Sequence, residues 1–322
     1  MSHNNILLIR MTDFADVVGV ALPALRYFKQ QLPEANISLL SYANGIDFIK
    51  LAEPNINVWG LNREQWPDNI IPAMETFLGL AEQIVANKYD QIINLDCGFM
   101  PCFLARFLKD AGEPVVGNYI SMSLNELLEQ FQQQTLKPEY VNQPTEYMQS
   151  TFYGMTRWQS EWWQSPFLPD NGYPEFYLRS CCGFDQATMD WSINIESDAA
   201  LNSQNKKVVA LATMDAMTGV GFPRTVELAD QLQQKGFEVW QFDPNAHAPA
   251  DVLAKLKSTD LLVCIPGAAR WMAACVSCPV MLISGDVDPR TFMPEFATDM
   301  DSFDITPQQL VESIESIFAE PS

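Results

Sequence analysis

The sequence has little positive charge: 19 Lys and Arg stand against 40 Asp and Glu in 322 residues, a formal net charge of −21. A field of that sign repels nucleic acid and anionic membrane surfaces. No nucleic acid is expected as a partner and at most peripheral contact with a membrane, and any phosphate has to be bound by a local device such as backbone amides. Long apolar runs are missing too. None approaches the ~20 residues that a membrane helix needs. The N-terminal M-S-H-N-N has neither the basic region nor the apolar stretch of a secretory signal, so the cytoplasm is the expected compartment. Histidine occurs only as His3 and His247. Cysteine is present but odd in number, with Cys97, Cys102, Cys181, Cys182, Cys264, Cys275 and Cys278 scattered along the chain. That spacing is no disulfide framework. Cys275-Val-Ser-Cys278 has C-x-x-C spacing but no second such pair, and a zinc site takes about four ligands. These two thiols are expected to pack as small apolar residues beside a buried strand, and no metal or cofactor is expected.

What is present is core material, 48% of the residues being hydrophobic, arranged in an alternation of short apolar runs and helical patterns. In the first half, strands are expected at 5–10, 36–41, 56–59, 91–95 and in E-P-V-V-G-N, with helices at 16–32, 71–86 and 99–110. Residues 120–165 read as mostly helical and polar, then rich in aromatics from Tyr147 to Phe167. S-P-F-L-P-D-N-G-Y-P is the best linker. The alternation restarts with strands in K-K-V-V-A-L-A, F-E-V-W-Q-F, D-L-L-V-C-I and P-V-M-L-I-S. Helices are expected at 222–235, closed by Gly236, at 249–257, after P-G-A-A-R, and at 306–319, started by Thr306-Pro307. Short buried strands alternating with helices imply parallel sheets covered on both faces. The reading is two doubly wound, Rossmann-like α/β domains in tandem, 1–170 and 171–322, facing a cleft, with the last helix a candidate to pack back on the first domain. Ligands in such sheets sit at the carboxyl ends of the strands.

Several segments then resemble one family, in order and over nearly the whole chain. I-L-L-I-R-M-T-D-F-A-D-V-V…L-P-A-L-R is similar to the opening of the heptosyltransferases, the family 9 glycosyltransferases, whose usual form is a basic residue, a serine-like residue, Gly-Asp and a later P-A-L. Y-D-Q-I-I-N-L-D-C-G resembles the family's Y-D-x-x-I-D-L-Q-G strand. F-P-R-T-V-E-L-A-D-Q-L stands where the family has W-P-x-x-x-F-x-x-L-A. S-T-D-L-L-V-C-I-P-G-A-A-R-W-M-A-A and C-P-V-M-L-I-S-G-D-V-D-P resemble its D-T-G-x-x-H-x-A-A helix and its V-P-x-x-x-L-F-G-x-T-D-P ending. The resemblance implies a GT-B fold and an inverting transfer of a sugar from a nucleotide-diphosphate donor to a glycan hydroxyl, such as a lipopolysaccharide core, with no metal. Asp16 falls on the family's general base. Departures cluster on the donor side. The family glycine before that aspartate is Ala15, its Asp-Thr becomes Ile265-Pro266, its histidine falls on Arg270 and its lysine on Val220, while Gly267 keeps the loop glycine.

Each site residue also has a plainer reading. Asp16 and Asp13 have the spacing of helix caps, worth about 1 kcal/mol, against a base's 10²–10⁴-fold in rate. Arg10 pairs with either carboxylate or with an anionic acceptor, or is a strand-end charge in solvent. Asp96 binds acceptor hydroxyls or caps the helix that begins near Phe99. On the donor side, Gly219 and Gly221 let backbone amides approach a phosphate at a helix N-terminus, with Thr218 and Arg224 adding contacts; otherwise this is a glycine-containing turn. Arg270 holds a diphosphate bidentately or is a surface arginine. Asp286 and Asp288 contact a sugar or ribose hydroxyl or make a turn. The aromatic stretch stacks on sugar rings or is core. The rival to an enzyme is a degenerate GT-B domain that binds a partner; a sugar-nucleotide epimerase is the third reading.

Overall fold

The computed structural model describes residues 4–11, 14–61, 70–202, 206–214, 219–243 and 248–319, without the side chains of 43, 44, 70, 71, 73 and 74. The chain divides into two compact units. The first comprises residues 1–160 and 174–190, the second 161–173 and 191–322.

The first unit is built on β1 (Asn5–Ile9), β2 (Asn36–Tyr42), β3 (Asn57–Leu61), β4 (Gln91–Asn94), β5 (Val115–Ile120) and β6 (Met148–Ser150), in the spatial order β3-β2-β1-β4-β5-β6. The first five are parallel and β6 is antiparallel to β5. The helices between them are α1 (Leu22–Gln31), α2 (Ala43–Ala52), α3 (Ile70–Asn87), α4 (Phe99–Asp110) and α5 (Leu124–Gln132). Ile6, Leu7, Leu8 and Ile9 are all fully buried. A continuous apolar strand of this kind fits only a sheet covered on both faces. In α4, Cys102, Phe103, Leu104, Ala105 and Leu108 form the buried face, each large apolar side chain contributing about 1.5–3 kcal/mol by leaving water.

Two differences from the sequence reading lie near the site. Residues 16–32 are not one regular helix: Phe14–Asp16 is a single turn, Val17–Ala21 is π-helical, and regular α-helix resumes at Leu22. Residues 120–165 hold only one sizeable helix, α5, capped by the Ser123 hydroxyl, which accepts from Glu126 N at 3.3 Å. The remainder is short turns and the added edge strand β6. Pro138 and Pro144 each open a helix of five residues or fewer, because a proline ring disfavours helical backbone in the residue before it and so prevents fusion with the helix upstream.

The second unit has β7 (Val208–Ala212), β8 (Glu238–Gln241), β9 (Leu261–Cys264), β10 (Val280–Leu282) and β11 (Phe296–Ala297), all parallel, in the order β11-β10-β9-β7-β8. Its helices are α6 (Thr225–Gln234), α7 (Pro249–Lys257), α8 (Ala268–Ala274) and α9 (Pro307–Ala319). A reciprocal cap starts α9: Thr306 Oγ1 accepts from Gln309 N at 3.2 Å, and Gln309 Oε1 accepts from Thr306 N at 2.9 Å. Leu310, Val311 and Ile314 of α9 are buried in the core of the second unit. Cys275 and Cys278 are buried there and form no disulfide. Both units are Rossmann-like. Among the described residues no helix is long and apolar enough to cross a membrane, and no group of side chains is arranged to hold a metal ion.

Candidate functional site

In a doubly wound sheet the crevice opens where neighbouring strands send their connections to opposite faces. In the first unit that point lies between β1 and β4. Arg10 follows β1 directly, and Leu95 and Asp96 follow β4.

Arg10 is not a strand-end charge in solvent. It is 1% exposed, with its guanidinium 5.0 Å from the centre of the Tyr177 ring. Nη1 donates to the Leu95 carbonyl, and Nη2 pairs with Asp16 Oδ2 at 2.5 Å. The Asp16 side chain keeps 31% of its surface open and stands at the start of the π-helical turn. A π turn places one more residue in the loop of each hydrogen bond and is frequent at functional sites. The arrangement is a buried cation, sealed by an aromatic ring and a carbonyl, presenting a half-open carboxylate at the crevice.

Asp96 is 1% exposed and ties the two strand ends together. Its Oδ2 accepts from Met11 N at 2.6 Å and its Oδ1 from Gly98 N at 3.0 Å. It therefore acts two residues ahead of the α4 N-cap, Gly98, rather than as the cap. The Tyr177 hydroxyl donates to the Leu95 carbonyl at 2.7 Å. Asn118 Nδ2 donates to the Asp96 carbonyl at 3.0 Å and to the Tyr177 oxygen at 3.2 Å. Tyr147 donates to the Cys97 carbonyl at 2.6 Å. Burial pushes the Cys97 thiol up to about 12, against the opposing pull of Arg10 and of the Tyr177 hydroxyl, and burial likewise pushes the Tyr147 phenol up. Both groups stay protonated near neutral pH, so they act in the network only as neutral donors and acceptors. Asp13 lies outside the described residues.

Tyr177 and Asn118 belong to this network and were not singled out from the sequence. Asn118 carries a usable signal, a polar residue in the middle of the buried strand V-V-G-N-Y-I. Tyr177 carries none, being 161 residues from Asp16 and brought in by the return of residues 174–190 to the first unit.

In the second unit the switch point lies between β7 and β9, whose exits are the two turns expected to serve the donor. Thr218 lies outside the described residues. The ends of the first turn are tied together: Phe222 N donates to the Thr213 carbonyl at 2.8 Å, and the Thr213 and Thr225 hydroxyls are 2.6 Å apart. Gly221 is needed there because a Cβ would sit 2.3 Å from the Thr213 carbonyl oxygen. Gly219 is exposed, with open space where a side chain would stand. Arg224 Nη2 donates to the carbonyls of Asp304 and Ile305 at 2.9 and 2.5 Å, while its buried Nε has no partner. Gly267 leads into α8 with open space at its Cα. Arg270 donates from Nε to the Phe292 carbonyl at 3.2 Å and from Nη2 to the Met293 carbonyl at 2.8 Å. Asp286 is exposed and accepts from the Ser302 hydroxyl. Asp288 makes a turn, capping Pro289–Thr291 and pairing with Arg290 at 2.6 Å.

No protein-family profile matches the chain, and no curated protein matches its sequence. Solved structures do match, end to end. A family 9 glycosyl transferase from Veillonella parvula superposes with a TM-score of 0.64 at 13% identity, covering 99% of this chain and 98% of that one. The E. coli heptosyltransferase WaaC with ADP gives 0.57 at 13% identity, over 98% of both chains. The fold is GT-B. A UDP-N-acetylglucosamine 2-epimerase gives 0.55 at 10% identity, over 100% of this chain and 89% of that one. One GT-B architecture therefore carries both sugar transfer and sugar isomerisation among these neighbours, and the choice of chemistry belongs to the residues of the site.

Proposed function

We propose that the protein is an inverting glycosyltransferase that moves a sugar, heptose-like or another hexose, from a nucleotide-diphosphate donor to a glycan hydroxyl. The observation that carries the reading is Asp16: a half-open carboxylate at the switch point of the first sheet, held by a buried arginine that is itself locked in place. A general base has to be fixed in orientation and reachable by the hydroxyl proton it removes, and a surface cap would need no such buried support. In this reading Asp16 takes the acceptor proton as the hydroxyl oxygen attacks the anomeric carbon. The bond to the diphosphate breaks on the opposite face, and the nucleotide diphosphate leaves with the electron pair. Arg10 orients Asp16, and Asp96 shapes the acceptor side by fixing the Met11 backbone. The donor phosphates take the turn at 219–225 and the N-terminus of α6, with the unpartnered Arg224 Nε–H as a further donor, and Gly267 and Asp286 lie at the neighbouring strand exits.

A second reading is a GT-B protein that no longer transfers sugar and binds a partner. It is favoured by Arg224 and Arg270 both being engaged with backbone carbonyls, which stabilises turns and leaves fewer donors for a diphosphate.

Thermal shift against ADP, UDP, GDP, CMP and dTDP and their sugars separates the two readings. A ligand at a hundred times its dissociation constant adds about 2.7 kcal/mol of stability. A shift with one nucleotide, followed by transfer that Asp16→Asn lowers about 10²–10⁴-fold in a protein still folded, supports the enzyme. Folded protein that responds to none of them rules the transferase out.

A further inference from the structure

One cavity of the first unit is used by neither the Asp16 network nor the strand exits of the second unit. It has a volume of about 440 Å³, within the ~300–1,000 Å³ of small-molecule sites, and lies where β5, the edge strand β6 and the turns that follow it meet. Its walls combine the rings of Tyr119, Phe152 and Trp158 with the neutral polar side chains of Thr145, Gln149, Thr156 and Gln159. No charged residue lines it, in a chain with 59 of them.

The rings are held from behind. Phe152 meets Phe184 edge-on with centres 5.6 Å apart, and Lys109 Nζ sits 4.8 Å from the centre of the Tyr119 ring. Tyr119 and Gln149 are cross-strand partners, so they project from the same face of the sheet. The four polar side chains make no hydrogen bond with the rest of the described protein, which leaves two amides and two hydroxyls for a ligand. Aromatic faces beside uncommitted neutral amides and hydroxyls match the two surfaces of a sugar ring, its C–H face and its hydroxyl edge. The other occupants fit poorly. A phosphate or carboxylate would find no cation among the lining side chains, Lys109 lying behind the Tyr119 ring, inside a protein of net charge −21. An acyl chain would strip water from the polar walls without replacing their hydrogen bonds.

We propose that this cavity is a binding site for an uncharged saccharide. The proposal stands on the chemistry of the walls and does not require Asp16 to be a base. Weak carbohydrate affinity, about 1 mM or −4 kcal/mol, is enough to be read by saturation-transfer NMR and calorimetry. The probes are maltotriose, cellotriose, chitotriose, mannotriose and lactose, with glucose 6-phosphate, glucuronic acid, octanoate and a deca-proline peptide as contrasts.

At least one neutral sugar should bind, and the contrasts should not. Trp158→Ala should weaken that sugar about tenfold. The exposed pair Gln149→Ala and Gln159→Ala should do the same with an unchanged melting temperature, which guards against a Trp158 variant that fails to fold. The inference is overturned if folded wild-type protein binds none of the neutral probes, if binding survives the glutamine pair unchanged, or if the peptide, the acyl chain or the charged sugars bind in their place. Nucleotide binding, measured separately by thermal shift, tells failure of this inference apart from failure of the transferase reading.

Discussion

At the scale of single residues, the pair Arg10–Asp16 makes the sharpest test. Removing Asp16 as Asp16→Ala leaves a guanidinium that is 1% exposed without its carboxylate. Breaking a buried pair from one side costs about 3–5 kcal/mol. The double variant Arg10→Met with Asp16→Ala removes the buried charge as well and should recover more than half of that loss in urea unfolding. Simple additivity of the two single variants would show that the pair is not coupled. Gly117, in β5 under the same network, has φ +97, and a Cβ there would lie 2.2 Å from the Asn94 carbonyl oxygen. Neither the backbone conformation nor the space admits a side chain, so Gly117→Ala should cost more than about 3 kcal/mol and move the β4–β5 amide resonances.

At the scale of elements, α1 and the end of α2 are joined by Glu53. It accepts from Arg26 Nε at 2.8 Å and pairs with Lys29 Nζ at 2.6 Å. Burial alone would raise its carboxyl, but the bonds and charges of Lys29 and Arg26 outweigh burial and hold it below its ordinary 4.5. The sign follows by linkage. The folded protein releases this proton more readily than the unfolded chain, so the stabilisation is present above 4.5 and is lost as pH falls below it, through the folded value. Glu53→Gln should flatten the acid limb of stability against pH; an acid limb identical to wild type would place the acid sensitivity elsewhere. The same scale explains where sequence pattern misled. A 3.6-residue period in V-V-G-V-A-L-P-A-L predicts one continuous helix, yet Val17–Ala21 is π-helical. Periodicity reports which face is buried and is blind to whether the ladder closes at four residues or five.

At the scale of the molecule, all seven cysteines are buried and none forms a disulfide. Burial pushes Cys97, Cys181, Cys264 and Cys278 from 9.0 up to about 12 and raises Cys102 and Cys182 as well. A thiol reagent should therefore modify almost none of them in native protein near neutral pH and all seven after denaturation. Because the unfolded thiols ionise near 9.0 and the folded ones do not, the contribution is complete below 9 and falls as pH rises from 9 towards 12. The melting temperature should drop over that window, more steeply than in a variant carrying serine at Cys97 and Cys264. Fast modification of native protein would contradict the burial described here.

The sequence by itself determined the architecture. Runs such as I-L-L-I and L-L-V-C are too apolar for anything but the inside of a covered parallel sheet, and Thr306 to Gln309 states its own helix start, because these are local arrangements of backbone and neighbouring side chains. The two turns of the second unit were also legible, since strand-to-helix turns with glycine are local. What only the tertiary structure decided is how charges and rings from distant segments meet. From the sequence Arg10 pairs with a carboxylate or an anionic acceptor, or ends its strand in solvent; the structure pairs it with Asp16, covers it with Tyr177 from beyond the linker and gives one of its donors to the Leu95 carbonyl. Asp96 reads as a helix cap until the backbone of Met11 arrives on its other oxygen. Arg224 and Arg270, each weighed from the sequence as a phosphate ligand or a turn or surface residue, meet the carbonyls of residues 304–305 and 292–293. Spacing along the chain fixes which neighbours a residue has within a turn or a strand. The partner of a buried charge is set by the packing of elements a hundred or more residues apart, where the cost of leaving such a group unpaired selects the contact.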